Sequence, residues 1–336
     1  MQIGVDILEN EIVAQYPEVL EILLRDHTTQ KNIFWATDNY EHLGEPYKFD
    51  AYIEPDLITG ENGNIIMPRV YKDKVLQVSR SKEMAEVFTP SWVCNAQNNL
   101  IDNAWFGKEG VFNKEIIMPD GSRNWEVNFE KIAFPDGKTW KDYIRDTRLE
   151  IACGEAPYIT SRYDTTTGDF IPVEERIGIL DRKLRIINEN VDSTGDWLKA
   201  AQIAYKNTYA YEWQGDSLLI ARESMLVTFI ENYIAKFGKE PLQKSLRYIA
   251  YIVSWNVWQM DGLKGVIPNS CCPLTETSVN LFGETETKTI TCEGCAKGNI
   301  RKHNGTYALI KDWFNKDVKT GKTGRKIRFI DLIKSR

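Results

Sequence analysis

No two of the 12 prolines in this chain are adjacent. A Pro-Pro turn, with its two successively fixed φ angles, is therefore excluded everywhere along it. No run approaches the ~18 apolar residues of a membrane-spanning helix, which excludes that class of integral membrane protein. Met1-Gln2-Ile3-Gly4-Val5-Asp6 has neither a basic start nor a long apolar stretch, so no secretory signal is expected. The six cysteines are not spaced as a disulfide framework. These absences lead to the expectation of a cytoplasmic protein. No internal repeat is visible, which argues against a solenoid.

What is present is enough for a real core. Of 336 residues, 42% are hydrophobic and 11% aromatic, sufficient for one large or two ordinary domains and too much for a disordered chain. The net charge of −6 hides an asymmetry. Residues 296–336 carry 12 Lys/Arg against Asp312, Asp317 and Asp331, a local excess of +9 that leaves −15 on the remainder. A basic block with Tyr307, Trp313 and Phe329 interleaved points to nucleic acid, because each cation near a phosphate releases a counter-ion. Lys322, Arg325, Lys326 and Arg328 are the expected phosphate contacts, and a plain solvated tail is the alternative.

The most informative stretch is Leu149-Glu150-Ile151-Ala152-Cys153-Gly154-Glu155-Ala156-Pro157. An apolar approach bearing an acid reaches a glycine four residues later. This is the pattern of a strand ending in a tight turn whose backbone comes close to a ligand. A carboxylate there suits a cationic or hydroxyl-rich ligand better than a phosphate.

Three other segments flank it in order: Phe88-Thr89-Pro90 upstream, then Gly215-Asp216-Ser217 ahead of Ala221-Arg222, then Asn256-Val257-Trp258-Gln259-Met260-Asp261-Gly262-Leu263. Together, over roughly residues 80–268, they resemble the cofactor-binding half of the N6-adenine DNA methyltransferases of restriction–modification systems. That resemblance implies an α/β fold, with a Rossmann-like methyltransferase sheet between a mixed N-terminal region (1–80) and a basic C-terminal extension (269–336). It implies S-adenosylmethionine as cofactor, held by Phe88, Thr89, Pro90, Glu150, Cys153, Gly154, Asp216 and Asp261. Asp216 would accept from the ribose hydroxyls and Asp261 from the adenine amine, although an Asp ahead of a helix also serves as its N-cap. The partners implied are DNA, whose target base must be extruded, and a second methylase or specificity subunit.

The departures are specific. Ala156 replaces the second glycine of the loop, some sixty residues separate it from the Asp216 segment, and the family's Asn/Asp-Pro-Pro-aromatic catalytic turn is missing. The expected function is therefore adenine-N6 methylation of DNA, in restriction–modification or its phage counterpart. The alternative is a catalytically inactive relative of that fold that binds DNA or a partner subunit.

Cys271-Cys272 and Cys292-Glu293-Gly294-Cys295 approach the ligand spacing of a zinc site, with His303 eight residues on as a weaker candidate. Free thiols are the alternative. Elsewhere, apolar spacing predicts helices over 10–25 and 217–237 and within 172–206, the last broken near Asp192-Ser193-Thr194-Gly195. Asp26 to Thr37 reads as a polar, aromatic loop entering a strand, or as a groove lining. Two Pro-Asp-Gly turns punctuate a partly β segment from 100 to 148. Residues 246–260 fit helix or strand equally. A smaller basic patch runs from Arg69 through Lys72 and Lys74 to Arg80 and Lys82.

Overall fold

The computed structural model describes residues 4–7, 9–72, 89–279 and 285–333. Phe88 and the Lys74, Arg80 and Lys82 part of the second basic patch lie outside the described residues. In chain order the helices are α1 (Glu9–Gln15), α2 (Pro17–Leu24), α3 (Ser91–Phe106), α4 (Trp140–Arg145), α5 (Ile179–Asn190), α6 (Thr194–Lys206), α7 (Gly215–Phe237), α8 (Gln243–Asn256) and α9 (Glu293–Lys297). The strands are β1 (Asn113–Ile117), β2 (Arg123–Val127), β3 (Arg148–Ile151), β4 (Thr208–Glu212), β5 (Val257–Gln259), β6 (Leu274–Val279), β7 (Thr285–Ile290), β8 (Leu309–Lys316) and β9 (Thr323–Arg328).

The chain is a mixed α/β protein built round a parallel three-stranded sheet of order β3-β4-β5. Parallel neighbours require crossovers, and here each crossover carries two helices: α5 and α6 between β3 and β4, α7 and α8 between β4 and β5. The sixty-residue gap noted in the sequence is this helix pair, preceded by an irregular segment over 152–178. The break within 172–206 falls between Asn190 and Thr194, where Ser193 caps α6 by accepting from Asp196 N–H at 3.2 Å. The ambiguous 246–260 run is both things in turn, helix to Asn256 and strand from Val257. Separate antiparallel pairs form β1-β2, turned at Pro119-Asp120-Gly121, then β6-β7 and β8-β9.

Alternation along the strands gives the sheet two unlike faces. Glu150, Ala210, Glu212, Val257 and Gln259 are buried on one of them. α7 is enclosed from Gly215 to Tyr233, forming the centre of the main core with Trp197, Tyr205 and Phe229. Gly215 starts it because a Cβ there would sit 2.1 Å from the Phe34 carbonyl oxygen. Gly238, at φ 65°, ends it. On the opposite face, Tyr209, Tyr211 and Trp258 pack under a small second cluster with Met260, Ala308, Ile310, Ile327 and Phe329. The β8-β9 hairpin supplies that cover, and it stops short of β3, leaving Leu149 42% and Ile151 65% exposed.

Buried charge ties the helices together. Glu231 of α7 receives Arg162 at 3.1 Å and Arg176 at 2.6 Å. Asp102 of α3 receives Arg182 at 2.6 Å, Arg148 at 3.3 Å and the Tyr143 hydroxyl at 2.9 Å. The inner face of α3 is largely polar, with Cys94 and Phe106 as its apolar members: Asn95 exchanges amide hydrogen bonds with Asn113, and Asn98 donates to the carbonyls of Tyr158 and Ile177. Among the described residues no helix is long and apolar enough to cross a membrane.

Candidate functional site

At the carboxyl ends of β3 and β4 lies a cavity of about 1030 Å³. Open parallel sheets bind ligands at this end of their strands. Its floor is the turn after β3. Ala152, Gly154 and Ala156 all take positive φ (46°, 53° and 59°), so the backbone doubles back in left-handed steps that only glycine adopts freely. The two alanines are held there by hydrogen bonds: Cys153 N–H donates to the Tyr211 carbonyl at 3.0 Å and Ala156 N–H to the Cys153 carbonyl at 2.8 Å.

Three carboxylates shape the turn. Glu150 accepts from the N–H groups of Ile159 (3.2 Å) and Tyr158 (3.4 Å), folding the loop back over its own strand. Burial pushes its carboxyl up to about 8, against those two bonds and with a further push from Glu212. Glu155 accepts from Arg69 N–H and the Tyr163 hydroxyl. Glu212, the last residue of β4, accepts from Gly154 N–H at 2.8 Å and Gln214 N–H at 3.2 Å, bridging the ends of two strands. Burial raises its pKa too, opposed by the N–H groups of Gly154, Gln214 and Trp213.

Thr89, Glu150, Cys153 and Gly154 line the cavity, together with Asp38, Asn98, Glu212, Gln214 and Ser217. Three expected residues are elsewhere. Asp216 is fully buried beside the cavity wall, where it accepts from the Tyr40 hydroxyl at 2.7 Å and from Ser217 N–H, and pairs with Lys72 at 3.3 Å. Asp261 closes the turn after β5, accepting from the N–H groups of Leu263 and Lys264 and pairing with Lys264 at 3.5 Å. Neither is among the residues lining the cavity. Pro90 is the residue before α3 and is also not part of the lining. Glu212, an acid of the lining that the sequence reading did not single out, sits four residues before Asp216. Its signal in the sequence was its place at the end of the Tyr209-Ala210-Tyr211 run, the second strand of the sheet.

The tryptophans and the amide beside Asp261 are structural. Asn256 donates to the Tyr205 and Thr208 carbonyls and accepts from Trp313 Nε1 at 2.7 Å, which occupies both ends of its amide. Trp258 belongs to the second cluster. The Asp26–Thr37 segment braces the sheet: Gln259 donates to the Phe34 carbonyl and accepts its N–H, while Thr28 Oγ1 accepts from Leu309 N–H.

A second site gathers Cys271, Cys292, Cys295 and His303, whose ligand atoms lie within 4.8 Å of one another and could hold a metal ion. Cys271 Sγ is 3.7 Å from Cys295 Sγ, and His303 Nδ1 is 3.5, 3.7 and 3.6 Å from the sulfurs of Cys271, Cys292 and Cys295. Cys272 is exposed and outside this cluster, near the Ser270 carbonyl, and His303 fills the fourth corner in its place. Gly294 lets the two halves meet, since a Cβ there would lie 2.6 Å from His303 N. Against the upward pull of burial, N–H groups of Cys295 and Asn304 and hydrogen bonds with Cys271 and His303 bring the Cys292 thiol down to about 6. The thiolate is the form that binds metal.

Of the expected phosphate contacts, Arg325 is paired with Asp312 at 2.9 Å and Arg328 with Asp331 at 2.8 Å. Lys322 is exposed near the hairpin tip, and Lys326 reaches back over Trp255. Set against protein-family models, curated proteins and solved structures, the chain matches none.

Proposed function

We propose that the strand-end cavity binds S-adenosylmethionine and that the chain is a methyltransferase-like protein of adenine N6 in DNA, serving restriction–modification or a phage counterpart. The observation that carries this reading is Glu212. A buried carboxylate at the end of the second parallel strand, spanning to a left-handed Gly turn at the end of the first, is where an acid accepts from ribose hydroxyls in nucleoside-binding sheets. A volume of about 1030 Å³ is at the upper end of the ~300–1,000 Å³ of ordinary ligand pockets. The carboxyl groups on this floor, Glu150, Glu155 and Glu212, suit hydroxyl and ammonium donors better than a phosphate. The cofactor would supply an electrophilic methyl group. This chain's part would be to hold the ribose at Glu212, bring the Gly154 backbone close, and exclude water with Thr89 and Tyr158 at the rim.

A second reading is favoured by two observations: no Pro-Pro turn exists to present N6 acceptors, and Asn256 is fully engaged within the protein. Under it the chain binds cofactor and DNA without transferring methyl groups, or completes its site with a second methylase or specificity subunit. Incubation with radiolabelled S-adenosylmethionine and mixed duplex DNA separates the two. Label in DNA supports the enzyme; cofactor binding with no transfer supports the second reading.

The metal we assign to the Cys271, Cys292, Cys295 and His303 cluster is zinc. With Zn–S of ~2.3 Å and Zn–N of ~2.05 Å, a tetrahedron has edges of about 3.8 Å between sulfurs and about 3.6 Å from sulfur to nitrogen, and the Cys271–Cys295 distance and the three distances from His303 match these. Three thiolates and an imidazole with no fourth position open make a structural site rather than a catalytic one.

A further inference from the structure

Lys206 at the end of α6, Lys311 on β8 and Lys326 on β9 are distant in sequence, yet their ammonium groups converge over one aromatic patch. Lys206 Nζ lies 5.2 Å from the ring centre of Tyr248 and 5.3 Å from that of Trp313. Lys311 Nζ lies 4.6 Å from Trp313, 4.8 Å from Tyr251 and 5.4 Å from Trp255. Lys326 Nζ is also 5.4 Å from Trp255. Trp313 is thus shared by two of the cations and Trp255 by two. Among the described residues none of the three forms an ion pair, whereas the neighbouring Arg325 and Arg328 do.

Ring faces offset part of the mutual repulsion, but they leave the ammonium donors wanting oxygen. Lys311 gives one to the Tyr251 hydroxyl at 2.8 Å, and each ammonium has three. The platform is fixed from behind: Trp313 Nε1 is tied to Asn256, and His27 stacks on Trp255 with centres 4.0 Å apart and planes 4° from parallel. His27 is pushed down to about 3 by burial, then by Arg222, Lys311, Lys326 and Arg25, so it adds no charge of its own near neutrality. Exposed Lys316, Lys319 and Lys322 continue the positive surface along the hairpin.

We propose that Lys206, Lys311 and Lys326 form a phosphate-binding site for the backbone of duplex nucleic acid. Three separate cations spread round shared rings suit successive phosphates along a strand better than a single anion. Trp255 and Trp313 are only 3% and 6% exposed and offer no face to an unpaired base; Tyr248 is open, at 37%, and one open ring is too little for successive bases to stack on. The contact is therefore to backbone, which positions a duplex without reading its sequence. The proposal shares the DNA partner with the function above and is independent of the cofactor.

The test is fluorescence anisotropy of a labelled duplex with the full chain across a salt series. At about 0.9 per phosphate contact, replacing Lys206, Lys311 and Lys326 with Gln together lowers the slope of log K against log salt by about 2–3. The Lys→Arg triple variant keeps the wild-type slope, and Arg325→Gln with Arg328→Gln changes it less than the lysine set. A Lys→Gln triple variant that melts like wild type but keeps its affinity and slope overturns the site. So does a wild-type chain that binds no duplex, an outcome that leaves the cofactor reading standing. Competition by inorganic tripolyphosphate as effective as unlabelled duplex at equal phosphate concentration overturns the nucleic-acid assignment in favour of a small polyphosphate.

Discussion

The helical core and the C-terminal region from Asp261 onward are held together by different physics. In the core, α7 is enclosed by apolar side chains and crossed by ion pairs sealed from water, such as Arg162–Glu231–Arg176. Beyond Asp261 the apolar contribution is smaller: Ala308 and Ile310 are set against Trp258 and Met260, Trp313 reaches into the main core, Val266, Ile267 and Ile330 are buried, and much of the rest is polar hairpin, turn and a Cys3His cluster. A segment with so little core needs a staple. The difference leads to an expectation: the sheet and its cavity rest on the main core, while the C-terminal region would rest more heavily on a metal held at its Cys3His cluster.

Metal removal is the sharpest way to break this contrast. Structural zinc contributes about 10–16 kcal/mol of apparent binding free energy in small zinc-finger peptides, enough to decide whether a region with a small apolar cluster stays folded. Chelation is expected to expose the amides of 271–333 to hydrogen exchange while those of α7 stay protected. Cys292→Ser should do the same and Cys272→Ser should not. Protection lost equally in both regions would show that they are one cooperative unit.

The core has its own weak point. Glu231→Ala leaves two arginines buried without their carboxylate, and breaking a buried pair this way costs about 3–5 kcal/mol. Denaturant unfolding of the whole chain should shift by that amount. A shift below about 1 kcal/mol, in the range of an exposed pair, would mean that water reaches these arginines.

Much of the outline was legible in the sequence. The Leu149–Pro157 pattern marked a strand and a close turn because a missing side chain and an apolar approach are local features, and the cavity lies over that turn. The Cys-x-x-Cys pair was legible for the same reason. What local reading missed was set by long-range packing. Asp216 and Glu212 are both acids near the start of α7, and only the arrival of Tyr40 and Lys72 from the N-terminal region takes Asp216 out of the cavity. Likewise, Cys271 and Cys272 are alike locally; the Asn304 amide holds the Cys272 carbonyl, the Cys272 thiol lies by the Ser270 carbonyl outside the cluster, and His303 is brought in by the contact at Gly294. Lys206 carried no mark at all, since its partners come from α8 and β8.

A smaller effect concerns pH. Glu150 has a folded pKa raised to about 8 from 4.5, chiefly by burial. A raised value means that the fold favours the protonated form, so its contribution is intact below the unfolded pKa and is lost as pH climbs towards 8. Wild-type stability should therefore fall between about pH 5 and 8 more steeply than that of Glu150→Gln, which keeps an acceptor for Ile159 N–H without a charge. Parallel melting curves for the two proteins across that range would remove Glu150 from the titration.

If the strand-end cavity takes S-adenosylmethionine as proposed, Glu212 is the acid that meets its ribose. Isothermal titration of S-adenosylhomocysteine into wild-type protein and into Glu212→Gln and Asp261→Asn tests it directly. The expected result is heat of binding for the wild type, a loss of about 1–3 kcal/mol in Glu212→Gln, as for a buried polar group deprived of its partner, and wild-type affinity in Asp261→Asn. No binding by the folded wild type, or a loss confined to Asp261→Asn, contradicts it.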